Sequence, residues 1–217
     1  MSSETGGSDK MPRSPVPRGL RRRAEIAAVA ERLFLDHGFS DTTMKMVALE
    51  AGASTETLYR HFGTKEDLFI EVVNTRAKDL RGKIDQDLDG IGSLPAVLTA
   101  VGTNLYEAMI MPEMFALGSI VVAEVRRNPP LGDAFYAVAP GHTFQKLTAY
   151  LTKAGERGEF VGDDTELAAN MFIGMIIGKI TPVRLFIPHR DTSSQAQKPR
   201  HVSEAVRIFL SVYHAKA

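Results

Sequence analysis

The 217-residue sequence predicts an all-α protein built as a small N-terminal three-helix domain followed by a larger helical body. Three observations predict this. Apolar residues recur at a helical period over most of the chain, and no segment of useful length alternates like a half-buried strand. Ser, Thr, Gly and Pro stand where those periodic runs begin and end. Apolar residues make up 44% of the chain, enough for a proper core, and the length suits one small domain plus one larger one.

Residues 1–18 are rich in Ser, Gly and Pro and should be a disordered tail. They contain no apolar run of the kind a signal peptide needs. From Leu20, the residues Ile26, Ala27, Ala30, Leu33 and Phe34 form one apolar stripe that ends at His37-Gly38, where glycine can take a left-handed cap. Thr43 is a good N-cap for the segment MKMVALEAG, which presents Met46, Val47 and Ala51 on one side and is broken by Gly52. Ser54 caps a short helix that turns Leu58 and Phe62 inward and stops at Gly63. Thr64 caps a fourth helix. Glu66 and Asp67 sit in its positive first turn, and Leu68, Phe69, Val72 and Val73 line its buried side.

That fourth helix should run to about Asp89, before Gly90-Ile91-Gly92. Pro95 then sits near the first turn of a helix reaching about Met111, where its missing N–H costs little. A further helix is expected over 112–127, ended by Asn128-Pro129-Pro130. Residues 131–157 read as a helical pair or one helix bent at Pro140-Gly141. Asp163 and Glu166 are spaced like a capping box for an apolar helix through 171–187. Lys179, Pro182 and Arg184 interrupt that stretch, so it is expected to be buried in protein and not to span a membrane. A polar loop over 189–200 and a last helix over 202–214 complete the chain.

Composition bounds the chemistry. There is no cysteine, which excludes disulfides, thiolate metal sites and cysteine nucleophiles, and suits a cytoplasmic location. The six histidines show no metal spacing, and no Ser-His-Asp set, paired carboxylates or phosphate-binding loop stands out. No catalytic residue, metal or cofactor is therefore expected. The formal net charge is zero, but its distribution is uneven. Residues 1–65 hold 10 Lys+Arg against 8 Asp+Glu, and residues 66–217 hold 16 against 18.

The basic end carries the most informative pattern. A helix, a tight turn at Gly52 and a short Ser54-capped helix make a helix-turn-helix. Such a unit needs a rod narrow enough for a major groove, small polar residues at its head to reach base edges, and donors around it for phosphates. Thr55, Glu56 and Thr57 supply the head. Tyr59, His61 and Lys65 are phosphate donors by type, and Arg21, Arg22 and Arg23 lie in the arm, where arginines reach phosphates or a minor groove. Glu56 has two readings: it accepts from a cytosine amino group, or it favours the positive helix start and pairs with Arg60 four residues on.

Residues 20–70 resemble the DNA-binding domain of the tetracycline-repressor (TetR) family. The matching pieces are LFLDHGF, TTMKMVALEAGAS and TETLYRHFGTKEDLF. Residues 93–180 resemble the AefR-like branch of its C-terminal domains through LPAVLTAVG, AEVRRNPPLGDAFY and AYLTKAGERGEF. The resemblance implies a helix-turn-helix domain over 19–65 and a ligand-binding and dimerisation domain over 66–217. It implies a homodimer on double-stranded operator DNA, acting as a repressor that a small-molecule effector releases. Carried over by position, the DNA-facing residues would be Thr43, Met44, Thr55, Glu56, Thr57, Tyr59, His61 and Lys65.

In the body, Met109, Met111, Met114, Met171 and Met175 suggest an adaptable apolar cavity, with Phe115 among its aromatic neighbours. Asn104, Tyr106, His142 and Gln145 are the candidate polar groups for orienting a ligand. Gly174 and Gly178 allow close helix approach, so a dimer face is expected over about 164–187 together with 202–214. A second reading stays open: an all-α small-molecule-binding or catalytic protein that keeps the hairpin only as scaffold.

Overall fold

The computed structural model describes residues 17–90, 92–187 and 196–215. These form eleven helices: α1 (Arg18–Asp41), α2 (Met44–Glu50), α3 (Thr55–Phe62), α4 (Lys65–Asp89), α5 (Leu94–Ile110), α6 (Pro112–Glu124), α7 (Pro129–Val138), α8 (Pro140–Glu156), α9 (Thr165–Ile177), α10 (Ile180–Phe186) and α11 (Lys198–Tyr213). Among the described residues the extended pairing is a single bridge, Phe160 with His214. The expected tail lies outside the described residues up to position 16, and Arg18 already opens α1.

The N-terminal core is an aromatic cluster held by one special backbone position. Gly38 has φ 79° and ψ 178°, a region open in practice only to glycine. The turn there sends Phe39 back inside, where it stacks on Phe34 at 5.8 Å and meets the edge of Phe69 at 5.6 Å. Thr42 follows, fully buried, with its hydroxyl bonded to the Gly38 carbonyl at 2.7 Å. Leu58 and Phe62 of α3 and Leu68, Phe69, Val72 and Val73 of α4 close the cluster, as their spacing predicted. Each fully buried side chain of this size stabilises the fold by about 1.5–3 kcal/mol.

This core does not stop at α4. Leu117 and Val121 of α6 and Leu131 of α7 belong to it as well. Two polar bridges reinforce that contact: Ser40 donates to Glu124 at 2.8 Å, and the Asn128 amide donates to Glu66 at 2.8 Å. The hydrophobic unit around the hairpin thus extends well past residue 65.

The second core is packed from α4, α5, α8, α9 and α11, with Ile84, Leu98, Leu151, Phe172 and Phe209 at its centre. Gly102 permits the close approach of α5 to α9 and α11. A Cβ there would lie 3.1 Å from both Ile176 and Val202. α4 is common to both cores, with Phe69 and Val73 in the first and Ile84 and Leu88 in the second.

Several boundaries differ from expectation for local reasons. α6 ends at Glu124, and Pro129 and Pro130 open α7 instead of only ending its predecessor. The 131–157 segment is a pair, broken at Ala139. The stretch 171–187 is two helices bent by 53° at Gly178-Lys179. The cap of α9 is Asp164, not Asp163: its carboxylate accepts from the Leu167 N–H at 2.8 Å. The polar loop falls mostly outside the described residues, and α11 begins at Lys198, with Pro199 in its first turn. Among the described residues no single helix is long and apolar enough to cross a membrane.

Candidate nucleic-acid interface and effector cavity

The helical hairpin is set by its caps. The Thr43 hydroxyl accepts from the Met46 N–H at 3.2 Å, which starts α2. Ser54 Oγ accepts from the Thr57 N–H at 3.1 Å and lies 2.9 Å from the Thr57 hydroxyl. Each cap satisfies a donor that the first helical turn leaves orphaned. Thr64 and Asp67 form a reciprocal capping box at the head of α4. Between α2 and α3, Gly52 has φ 57°.

The arm arginines clamp this unit from behind. Arg22 donates to the carbonyls of Ala51 at 2.8 Å and Gly52 at 2.9 Å, holding the turn itself. Arg23 reaches the His61 carbonyl, pairs with Glu71 at 2.9 Å and lies over the Phe62 ring. The Glu71 hydrogen bond raises the Arg23 pKa above its ordinary value, against the opposing effect of burial. Arg21 is largely exposed and lies 3.6 Å from Glu25.

The residues expected at DNA divide accordingly. Thr43, Glu56 and Tyr59 are exposed, Tyr59 at 53%, while Thr55, Thr57 and His61 are half-buried. Arg60 is exposed, and Glu56 does not pair with it among the described residues, but Glu56 does stand in the positive first turn of α3, so one half of its second reading holds. Three residues are engaged elsewhere. Met44 is only 6% exposed, because it is the first residue of α2 on the core side. Lys65 turns back to the end of α1, donating to the carbonyls of Phe39 at 2.7 Å and Thr42 at 3.0 Å and covering the Phe39 ring. Arg22, spent on the turn, is a brace in this structure and not a free donor.

A cavity of about 330 Å³ lies in the body, walled by α4, α5, α6, α7, α8, α9 and α10. Met109 and Phe115 line it, as do Met114 and Phe135. The other five expected ligand residues do not. Asn104 donates to Asp87 at 2.7 Å, and His142 is bonded to Asp85 at 2.9 Å. Tyr106 is buried beside His201, whose ring nitrogen bonds the Met175 carbonyl. The Met175 side chain packs on the second core, and Gln145 is exposed.

Sequence reasoning missed Arg81, Thr143, Ser119 and Thr181, the polar groups that do line the cavity. Arg81 left a trace. Ala77, Ile84 and Leu88 form the inward stripe of α4, and position 81 falls on it. A charged residue at an apolar position of a helix was the available signal. Among the described residues no group of three His, Asp or Glu side chains is placed to hold a metal.

A capped hairpin with an exposed short helix, fused to a helical body with an apolar cavity, defines a helix-turn-helix DNA-binding regulator. Comparison with known proteins agrees. Residues 26–72 match the pattern of bacterial regulatory proteins of the tetR family, and residues 96–215 match that of the AefR-like transcriptional repressor C-terminal domain. The chain belongs to the TetR family, in its AefR-like branch. It is 34% identical over 149 residues to the HTH-type transcriptional repressor KstR2 of Rhodococcus jostii, covering 68% of this chain and 72% of that protein. Among solved structures it is similar to a TetR-family regulator from Mesorhizobium loti, at TM-score 0.79 and 29% identity over 92% of this chain and 100% of the other. It is also similar to the Flavonoid-responsive Regulator FrrA, at TM-score 0.75 and 25% identity over 91% and 99%.

Proposed function

We propose that this regulator is a homodimeric repressor that binds a palindromic operator in the cytoplasm and is released when a small molecule fills the cavity. α3 enters the major groove, with Glu56 and Tyr59 outward and Thr43 at the head of α2 beside it. Two copies related by a two-fold axis then need half-sites about one helical turn, ~34 Å, or a multiple apart.

The dimer reading rests on an apolar face that is exposed among the described residues. Leu167, Met171 and Gly174 fall at i, i+4 and i+7 on α9, Gly178 follows at its C-cap, and all four are exposed. Ile208 and Val212 stand exposed on the neighbouring α11, at 43% and 64%. A contiguous apolar patch of this kind marks a protein interface.

One observation carries the coupling: α4 and α6 are each shared between the cavity and the core beneath α3. On α6, Leu117 and Val121 enter the N-terminal core while Phe115, Gly118 and Val122 face the cavity. On α4, Val72 and Val73 enter that core while Ala77, Leu80 and Arg81 face the cavity. A ligand that spreads these two walls shifts the seat of the hairpin. It can weaken operator binding only by its preference for the shifted state, typically 1–3 kcal/mol or roughly 5–150-fold.

The test is a gel-shift titration with DNA upstream of the chain's own gene at several salt concentrations. Affinity should fall steeply with salt, by about 0.9 in log–log slope per phosphate neutralised. No salt-sensitive binding to any fragment would return the protein to the scaffold reading.

A further inference from the structure

Among the described residues the cavity wall is apolar except for four side chains, and one of those carries a charge that no described carboxylate neutralises. Arg81 is half-buried and lines the cavity from the middle of α4. Its guanidinium donates to two main-chain carbonyls, Val138 at 3.0 Å and Asn74 at 3.1 Å. No carboxylate pairs with it among the described residues. Asp85, one turn further along α4, is engaged with His142 at 2.9 Å and Lys146 at 3.8 Å. A guanidinium has five N–H donors, so two carbonyls leave it under-used, and its positive charge stands in an apolar setting where an unpaired charge is costly.

A second polar group stands on the same wall. Thr143 of α8 lines the cavity at 5% exposure, and its hydroxyl has no hydrogen-bond partner among the described residues. The remaining two polar groups are already used: Ser119 donates to the Phe115 carbonyl and Thr181 to that of Ile177. Ala139 and Pro140, next to the carbonyl that Arg81 holds, also line the cavity, so Arg81 and Thr143 belong to its α4–α7–α8 side.

We propose that the effector is an apolar monocarboxylate whose head group is taken by Arg81, with the Thr143 hydroxyl as a second donor, and whose body fills the space around Met109, Met114 and Phe115. This deepens the effector reading given above and rests on it. A carboxylate accepts from arginine in a planar, two-pronged geometry and cancels its charge, which a neutral ligand of the same shape cannot do. The same contact explains release. Arg81 ties α4 to the end of α7, so a head group that recruits its donors acts on that tie.

Decanoate and decanol present the same apolar body with and without the charge, and both can be titrated into the full-length protein by calorimetry at neutral pH. Decanoate should bind at least about ten-fold more tightly, the scale of a hydrogen bond to a charged group. Arg81→Met should abolish that preference by weakening decanoate alone. Thr143→Val keeps the side-chain shape and should weaken decanoate more than decanol. Because Arg81 also braces two carbonyls, Gly118→Leu serves as a control that leaves it intact. A Cβ at Gly118 has ordinary clearance, 3.6 Å from Phe135, and the added side chain should block both ligands.

Equal binding of decanol, a preference that survives Arg81→Met, or binding of neither ligand overturns the proposal. Decanoate binding with the expected preference while the operator complex stays intact upholds the carboxylate site and overturns the effector reading instead.

Discussion

Lys65 is where the structure parts most clearly from the resemblance, and Lys65→Met tests which is right. Lysine is an unfavourable choice for the first residue of a helix, since the helix start is positive. Here its ammonium leaves α4 and satisfies the carbonyls that end α1, at 2.7 Å to Phe39 and 3.0 Å to Thr42, over the face of the Phe39 ring at 4.3 Å. Methionine keeps the apolar stem and removes the charge and the donors. Hydrogen bonds from a charged group contribute about 1.5–3 kcal/mol net, so the variant should lose about 2–3 kcal/mol. For a chain of this size that is a fall in Tm of roughly 4–12 °C, read by calorimetry. The salt dependence of operator binding should keep its slope, because no phosphate contact is removed. An unchanged Tm together with a slope shallower by about 0.9 per protomer would refute the brace and restore Lys65 as a phosphate donor.

Other outcomes follow from particular residues. Gly38→Ala should cost about 1–3 kcal/mol by chemical denaturation, purely from backbone strain, since its Cβ would meet nothing within 4 Å. Met171→Glu should convert a dimer into a monomer by light scattering, without loss of helical signal from the monomer fold. Burial raises the Tyr150 pKa, with Arg157 acting against it. A tyrosine whose folded pKa lies above its unfolded value contributes stability that is present below the unfolded pKa, near 10, and lost as pH rises through the folded value. Unfolding free energy should therefore fall with pH in the alkaline range, and Tyr150→Phe should flatten that fall.

Much of the fold was written in local chemistry. Ser54, Thr43 and Thr64 cap the helices they precede, and the inward residues Leu58, Phe62, Leu68, Phe69, Val72 and Val73 are buried as their spacing required. These are short-range effects, decided within a few residues. The cavity was less legible because it depends on which helices meet. Met109, Met114 and Phe115 suit a cavity by type and do line it, but Met175 has the same chemistry and packs in the core. Two of the polar candidates failed for a shared reason: Asn104 and His142 each have a carboxylate partner on α4, a contact that sequence spacing cannot show. The shared role of α6 was likewise invisible, since Leu117 and Val122 look alike until one is seen under α3 and the other at the cavity.

In the proposed mechanism the paired bodies hold two hairpins at a fixed separation, and cavity occupancy changes it. The chain has no cysteine, so Leu49→Cys, at a position 83% exposed on α2, takes a single spin label per protomer. Dipolar spectroscopy on operator DNA should give one narrow distance between protomers. Adding Gly118→Leu to fill the cavity should shift or broaden the distribution of the DNA-free dimer and weaken operator binding. Absence of any coupling between protomers, or an identical distribution with the cavity filled, would rule out this mechanism.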